Sequence, residues 1–340
     1  MTHTTALPAR PWFDTRLAQR LLRRACAVWM ALLVCVALLG APQAVARGAG
    51  EGCVPALVPP TPEQMRQTAQ AAQDRGFLWS IEKGGRTSHL YGTVHLGELA
   101  WAVPGPSAMR ALAASKVLAL ELDVTDETVL RELAALVRAD LAPALPPALE
   151  ARLRAAARAE CLPWDALAGM RPEFQLSTLT VAVARRAQLE AAFGSEVALT
   201  GIARQSGLPV VGLETAAEQV AALAASDAQA LADAVRTGLD DVQRGQAQRL
   251  MAQLTDAWAR SDAARLARYQ DWCDCANTPA ERAALRRAIT DRHPRLVERI
   301  DALHTARGPA FVAVGALHMF GPEGLPALLS ARGYTVRRVY

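Results

Sequence analysis

The stretch LYGTVH spans residues 90–95, and a related stretch, AVGALH, spans residues 313–318. Each follows strand-forming residues and closes on a Gly-x-x-His pattern, so that His95 and His318 come directly after predicted strands. We expect the glycine to let the backbone turn at that point. Ligands of open α/β sheets bind at the carboxyl ends of the strands. Two histidines brought to one such edge would form half of a metal site or an acid–base site.

The sequence contains several short apolar runs, separated by segments in which the apolar residues have helical periodicity. Residues 77–82 and 87–93, joined across Gly84-Gly85, predict a β-hairpin. Further strands are predicted at 116–122, 209–213, 309–314 and 334–339. The region of about 125–306 is rich in Ala, Leu and Arg and predicts mainly helices. We therefore predict an α/β fold with a small central β-sheet, a site at the strand ends and a large helical insertion.

The first 46 residues have the pattern of a secretory signal peptide, with five arginines, an apolar run and an Ala44-Val45-Ala46 cleavage site. Those arginines are 5 of the 37 basic residues, and Asp14 is 1 of the 33 acidic residues, so 32 of each follow residue 46. This balance gives no case for nucleic-acid binding. We expect a periplasmic or secreted protein that touches a membrane only if the leader stays uncleaved. Residues 47–74 would be a poorly ordered lead-in to a single domain at 75–340.

Four cysteines follow the leader: Cys53, Cys161, Cys273 and Cys275. In an oxidising compartment they favour structural disulfides, for which three pairings exist. A bond between Cys273 and Cys275 is geometrically awkward at that spacing. We therefore expect each of these two to pair with a distant cysteine.

Two carboxylates follow the predicted strand at 116–122. Glu121 ends a strongly apolar run, and a glutamate in such a place is usually paired or ligating. Asp123 lies two residues on and would point the same way if the strand continued. A role for Asp123 in capping the next helix is at least as well supported.

His95, Glu121 and His318 together would form a three-ligand metal set that leaves positions open for water and substrate. A bound metal would make hydroxide available near neutral pH. Without metal, the same residues could serve as a general base and its orienting partner. Either reading favours hydrolysis. The sequence has no Gly-x-Ser-x-Gly elbow, phosphate-binding loop, dinucleotide fingerprint or His-Glu-x-x-His motif.

Five further polar residues are considered for the site, and most of them are expected to have ordinary structural positions. His89 is expected on a face of the hairpin, His304 on an exposed helix face, and His293 at the surface by default. Arg292 could bind a substrate carboxylate or carbonyl. Glu214 also ends a strand and is expected to be a carboxylate in the first turn of a helix, favoured by the helix dipole.

Taken together, these motifs resemble the TraB/GumN family, which includes Tiki-type metalloproteases. The residues that carry the resemblance are Leu90 to His95, Glu121 to Asp123, Gly212 to Thr215 with Gln219, Ala313 to His318, and the tail from Gly324 to Val336. The resemblance covers roughly residues 75–340. It depends on the order and spacing of motifs that are individually short.

The resemblance implies a divalent metal, Mn²⁺, Co²⁺ or Zn²⁺, held by His95, Glu121 and His318. It also implies relatedness to a wider group of erythromycin-esterase-like and haem-binding proteins. The chain departs from the family pattern at Arg292-His293, where Arg-Asn is usual. It departs again at Gly194-Ser195-Glu196, where an acidic Gly-x-Asp is usual.

The sequence thus predicts an exported, metal-dependent hydrolase, plausibly a peptidase, acting on a peptide or small molecule. Asp123 would orient a ligand or water, and Arg292 would stabilise developing charge. Two alternatives stay open. One is a haem-, metal- or partner-binding protein without turnover, and the other is a metal-free ester or lactone hydrolase.

Overall fold

The computed structural model describes residues 53–54 and 57–340. The predicted signal peptide at 1–46 lies outside these residues, as do 47–52 and 55–56 of the predicted lead-in. No helix in the described part of the chain is both long and apolar enough to cross a membrane.

Six strands form one mixed sheet. They are β1 (Phe77–Lys83), β2 (Arg86–Thr93), β3 (Val117–Leu120), β4 (Val210–Gly212), β5 (Ala310–Gly315) and β6 (Thr335–Arg338). Their order across the sheet is β4-β3-β5-β2-β1-β6. The six predicted strands are therefore confirmed, and the hairpin turn at Gly84-Gly85 has the two positive φ angles that glycine accepts readily.

The direction of the strands decides where the functional side chains meet. β2, β3 and β4 run parallel to their neighbours in the central part of the sheet, with β5 between β2 and β3. β1 and β6 pair antiparallel at one side. The carboxyl ends of β2, β3, β4 and β5 consequently lie along one edge, as open α/β sheets require for a ligand site.

Helices account for most of the remaining described chain. They are α1 (Pro62–Gln70), α2 (Pro106–Ala113), α3 (Glu127–Leu136), α4 (Pro147–Ala159), α5 (Trp164–Leu167), α6 (Pro172–Ala184), α7 (Ser195–Gln205), α8 (Ala216–Leu223), α9 (Ala228–Gln243), α10 (Gln246–Ala259), α11 (Ala263–Ala267), α12 (Pro279–Ala288), α13 (His293–Arg307) and α14 (Leu325–Ala331). One helix, α1, lies inside the segment expected to be a poorly ordered lead-in. It forms because Thr61 and Gln64 make a reciprocal capping box around Pro62 at the first helical position.

The main core surrounds the central strands. Every β3 side chain and all but the last in β5 are buried, because strands flank them and helices cover them. α2 and α13 pack on β5, and α7 packs on β3. The helical insertion has a core of its own, in which Leu153, Leu179 and Val235 of α4, α6 and α9 meet. The insertion therefore has a packed core separate from that around the sheet.

The disulfide expectation is half wrong. Cys53 pairs with Cys161, a distant partner, but Cys273 pairs with Cys275. The intervening Asp274 adopts a left-handed conformation with φ +53° and brings the two Cα atoms to 5.1 Å. That separation lies within the normal range for a disulfide, so the short spacing is no obstacle.

His304 was expected to be exposed, and it is buried. Its Nδ1 lies 2.8 Å from the Ser88 hydroxyl, and its Nε2 lies 3.0 Å from the Lys83 carbonyl. These two hydrogen bonds hold α13 against the β1–β2 hairpin. Helical periodicity identified α13 but not the face that meets the sheet.

Asp301, one turn earlier on α13, collects three donors. Its carboxylate accepts hydrogen bonds from Lys83 and Tyr334, each at 2.8 Å, and from Arg332 at 3.1 Å. These bonds outweigh burial and lower the pKa of Asp301 from 3.8 to about 2, with Lys83 contributing most. A folded-state pKa below the unfolded one stabilises the protein above the unfolded pKa.

We expect Asp301→Asn to lower the free energy of unfolding at pH 7 by about 2 kcal/mol. Because the stabilisation is lost as pH falls through the folded-state pKa, the difference from wild type should shrink between about pH 4 and pH 2. Denaturant titrations across this range measure it. Asp256→Asn is the control, since Asp256 is half exposed and pairs only with Arg260. Equal effects of the two substitutions at every pH would contradict the prediction.

Candidate functional site

Four strand ends deliver ionisable side chains to one place. His95 follows β2, Glu121 follows β3, and Glu214 follows β4. His318 lies in the 3₁₀ turn Ala316–Met319 that follows β5. The predicted meeting of the two Gly-x-x-His motifs with Glu121 is present, because these strands are parallel neighbours.

The glycines of the two motifs serve close packing rather than a turn. Neither Gly92 nor Gly315 has a positive φ, and Gly315 lies at φ −48°. A Cβ on Gly92 would come within 3.2 Å of the Ala316 backbone. A Cβ on Gly315 would lie 3.2 Å from Glu121 Oε1. Our expectation that glycine permits a turn here is therefore wrong, and the missing side chain is what matters.

His95 stands at the exposed rim of the site. Its Nδ1 lies 2.7 Å from Glu196 Oε2, and the other oxygen of Glu196 accepts a hydrogen bond from Thr93 at 2.6 Å. The imidazole is 53% exposed, whereas the Glu196 side chain is 10% exposed. The Glu196 carboxylate raises the pKa of His95 above its ordinary value. This carboxylate fixes the ring and leaves Nε2 without a competing role.

Glu121 is held from both sides. Its Oε1 accepts a hydrogen bond from the Gly315 N–H at 2.7 Å. Its Oε2 accepts a hydrogen bond from the Arg292 guanidinium and lies 3.9 Å from His318 Nε2. Burial alone would raise the pKa of Glu121, but Arg292, the two imidazoles and the Gly315 N–H lower it overall. The residue is therefore a carboxylate throughout the neutral range.

Arg292 ties two of the strand ends together. Its guanidinium forms ion pairs with Glu121 and Glu214, and its Nη1 donates to the Ala288 carbonyl at 2.8 Å. Gln219 donates to Glu214 at 2.7 Å and completes the pairing of that carboxylate. The three charged side chains are nearly buried, with exposures of 11% for Arg292 and Glu121 and 2% for Glu214. A buried triad of this kind is strongly coupled.

His318 is buried and neutral. Burial lowers the pKa of His318 to about 3, and the nearby Arg292 acts in the same direction. The Nε2 atom lies 3.3 Å from Arg292 Nη1. The Nδ1 atom lies 2.9 Å from Nε2 of His293. His293, expected at the surface by default, is 1% exposed, and burial lowers its pKa as well.

A cavity of about 460 Å³ opens over these groups, between the strand ends and the helices α6 and α10. Its polar floor includes His95, Glu121, Arg292 and His318. Its walls are mainly apolar and include Leu96, Leu122, Val181, Met251, Leu254 and Trp258. The Trp258 Nε1–H donates to the Gly92 carbonyl at 2.8 Å and holds α10 against β2. Such a mainly apolar pocket with a few convergent polar groups is typical of small-molecule or peptide sites.

Asp123 is not brought to this cavity. Its carboxylate accepts the Thr125 N–H at 3.0 Å and pairs with Arg204 at 3.1 Å. The strand ends at Leu120, so the side chain does not share a strand face with Glu121. The helix that follows is capped by Asp126, whose side chain accepts the Thr128 N–H, so Asp123 has neither the orienting role nor the capping role that the sequence allowed.

The donor types suit a divalent metal. His95 and His318 both line the cavity and are each bound at Nδ1 to an orienting partner, as metal-ligating histidines commonly are, and Arg292 Nη1 lies 3.3 Å from His318 Nε2. Glu121 adds one carboxylate oxygen. Arg292, however, already binds that oxygen, and within the described residues no group of three or more His, Cys, Asp or Glu side chains is arranged so that it could hold a metal ion. A metal would fit these donors once the guanidinium moved off both Glu121 and His318 Nε2.

Three site residues escaped the sequence reasoning. Glu196 was seen only as a departure from a family pattern, and Glu214 and His293 were assigned ordinary helix-end or surface roles. Their positions in the sequence could have pointed to two of them, because His293 directly follows Arg292 and Glu196 lies in the first turn of α7. Their partners lie 25 to 101 residues away, which no local pattern encodes.

A family model described as the TraB/PrgY/gumN family matches residues 77–338. That range contains all six strands and every residue that lines the cavity. No curated protein and no solved structure matches the chain significantly.

Proposed function

Because the chain belongs to the TraB/PrgY/gumN family, and because the ends of three parallel strands, β2, β3 and β5, meet at one cavity, we propose that it is a hydrolase with its reaction centre at His95, Glu121 and His318. The observation that carries the proposal is the pairing of each imidazole at Nδ1, which places both Nε2 atoms at the cavity, where Arg292 Nη1 lies 3.3 Å from that of His318. This arrangement places two imidazole Nε2 atoms beside a buried carboxylate, and that of His95 offers a lone pair once the ring loses the proton that Glu196 stabilises. It is what water activation needs, with a metal or without one.

In the leading form of the proposal, the two Nε2 atoms and Glu121 hold Mn²⁺, Co²⁺ or Zn²⁺. A bound ion would supply Lewis acidity and lower the pKa of water. His95 would release the proton that Glu196 stabilises, because only a neutral imidazole ligates. Glu214 would keep Arg292 in the cavity after the guanidinium moves off Glu121.

Arg292 is suited to stabilise negative charge as it develops on a carbonyl oxygen. Its Nη1 and Nη2 donors lie beside both His318 and Glu121, and these side chains are nearly buried. Charge stabilisation by a fixed donor is large where water is excluded. The apolar cavity wall favours a peptide or other carbonyl substrate with an apolar group next to the scissile bond. A peptidase is the reading that fits this wall best.

A metal-free form is favoured by one specific observation, the occupation of Glu121 Oε2 by Arg292. In that form Nε2 of neutral His318, once Arg292 no longer donates to it, takes a proton from water as the water oxygen attacks the carbonyl carbon. The same proton passes from Nε2 to the leaving oxygen as the bond between the carbonyl carbon and that oxygen breaks. Arg292 then faces the oxygen that gains charge. An ester or lactone would be the easier substrate, because its leaving group requires less help than an amine.

A chelation experiment separates the possibilities. Purified protein is dialysed against a chelator and assayed on a peptide library and an ester panel, before and after addition of Mn²⁺, Co²⁺ or Zn²⁺. Loss of hydrolysis on chelation and its return with one metal is the result expected for the leading form. Hydrolysis that survives chelation would replace it with the metal-free form. Absence of hydrolysis in every condition would overturn the proposal in favour of binding without turnover.

We also propose that the protein is exported and acts in the periplasm or outside the cell. The basic and apolar leader supports export, as do two disulfides, which persist in oxidising compartments. N-terminal sequencing of the exported protein should begin at Arg47. Retention of the intact chain in the cytoplasm would contradict this.

A further inference from the structure

Three polar groups form a chain that ends in the cavity. His293 Nδ1 lies 2.6 Å from the Glu323 carbonyl oxygen, and His293 Nε2 lies 2.9 Å from His318 Nδ1. Both rings are almost fully buried, at 1% and 5% exposed. The cavity end of the chain is His318 Nε2, which lines the cavity floor and lies 3.3 Å from Arg292 Nη1.

The position of each proton along this chain follows from the carbonyl. A carbonyl oxygen only accepts, so His293 Nδ1 must carry the hydrogen. A neutral His293 then has a lone pair at Nε2, and His318 Nδ1 must donate to it. A neutral His318 protonated at Nδ1 has its lone pair at Nε2. The carbonyl oxygen of Glu323 thereby determines that the lone pair of His318 is at Nε2.

In the opposite tautomer of His318, which is protonated at Nε2, two hydrogen-bond donors would face each other. If His293 carried hydrogens on both nitrogens, His318 Nδ1 would have to accept and Nε2 would carry the hydrogen. That N–H would face the Arg292 guanidinium, whose Nη1 is 3.3 Å away and can only donate. Arg292 and His293 are adjacent in the chain, so one turn at the start of α13 imposes both constraints.

We propose that His293 is a positioning residue, which holds His318 in the tautomer protonated at Nδ1 and so presents the Nε2 lone pair to the cavity. The tautomer does not depend on the proposed function, and only its effect on turnover rests on that function. Two constraints enforce it: acceptance by His293 Nε2 on one side of the ring and donation by Arg292 on the other. The residue does not touch the reacting atoms.

Nitrogen NMR reads the tautomer directly. In chelator-treated protein labelled with ¹⁵N, long-range ¹H–¹⁵N spectra distinguish a protonated imidazole nitrogen from an unprotonated one. His318 in the wild type should show a protonated Nδ1 and an unprotonated Nε2. His293→Leu removes the acceptor and should shift His318 toward a mixture of tautomers. His293→Gln places an amide oxygen near the position of Nε2 and should restore the wild-type pattern.

Kinetics provide the second reading. His293→Leu should lower kcat about 10- to 100-fold with little change in KM, because orientation of a site histidine by its outer partner commonly has that effect. His293→Gln should recover most of the loss. His304→Gln is the matched control, since His304 lies on the same helix, is equally buried and has no contact with the cavity.

The wild-type spectrum alone can overturn the proposal, if His318 is protonated at Nε2. Unchanged His318 signals and unchanged kcat in a folded His293→Leu protein would also overturn it. If that variant does not fold, the wild-type and His293→Gln spectra still decide. A wild-type protein without hydrolytic activity would remove the proposed function and leave the NMR result standing on its own.

Discussion

Replacement of Arg292 by methionine should lower the free energy of unfolding by about 3–5 kcal/mol, the range expected when one member of a buried ion pair is removed. The loss is large because Glu121 and Glu214 would both stay buried without their cation. Methionine keeps most of the side-chain volume, so the loss reports charge rather than a cavity. Chemical denaturation followed by circular dichroism measures it.

Two comparisons make this result specific. Arg295→Met removes a half-exposed arginine that pairs with Glu218, and such pairs contribute about 0–1 kcal/mol. A triple variant with Arg292→Met, Glu121→Gln and Glu214→Gln removes the unpaired charges and should regain a large part of the stability. If Arg292→Met is no more destabilising than Arg295→Met, the buried ion pairs of Arg292 with Glu121 and Glu214 do not stabilise the fold as predicted.

His318→Ala should reduce kcat/KM about 100- to 10,000-fold, the range typical of a group that binds or moves a reacting proton. His95→Ala should act similarly, because the Nε2 atoms of both imidazoles are proposed to act at one water molecule. The double variant should be little worse than either single one, since residues that act as a unit lose their function together. Steady-state assays on the substrate identified by the chelation experiment measure these effects.

The control for both variants is His89→Gln. His89 lies on β2, outside the cavity lining, and its buried Nδ1 has no hydrogen-bond partner. We expect its replacement to leave turnover unchanged. His318→Gln serves as a second variant if the alanine protein unfolds. Full activity in both His95→Ala and His318→Ala would eliminate the proposed centre.

Much of the fold could be predicted locally. β5 appears in the sequence as a continuous apolar run because both of its faces are buried, and the β1–β2 hairpin is marked by Gly84-Gly85. α12 begins at a capping box that is legible in the sequence, Thr278 with Glu281. These features are set by backbone sterics and by burial repeated along one element.

The candidate site was only partly predictable. His95, Glu121 and His318 could be found because each ends a strand, and parallel strands share one edge. Asp123 was a plausible fourth member until β3 proved to end at Leu120. His293 was unpredictable as a partner of His318, since a short polar pattern at a helix start does not reveal which face of the helix will be buried.

The strands, most helices, the glycine-histidine motifs and the strand-end glutamate were predictable from the sequence, because these depend on neighbours within a few residues. The orientation and protonation of the two imidazole rings were not predictable in this way. That outcome depends on Glu196, His293 and the Glu323 carbonyl, which reach the two histidines through packing of α7 and α13 against the sheet. Hydrogen-bond direction is a property of groups in contact, and contacts between distant segments exist only after the chain has folded.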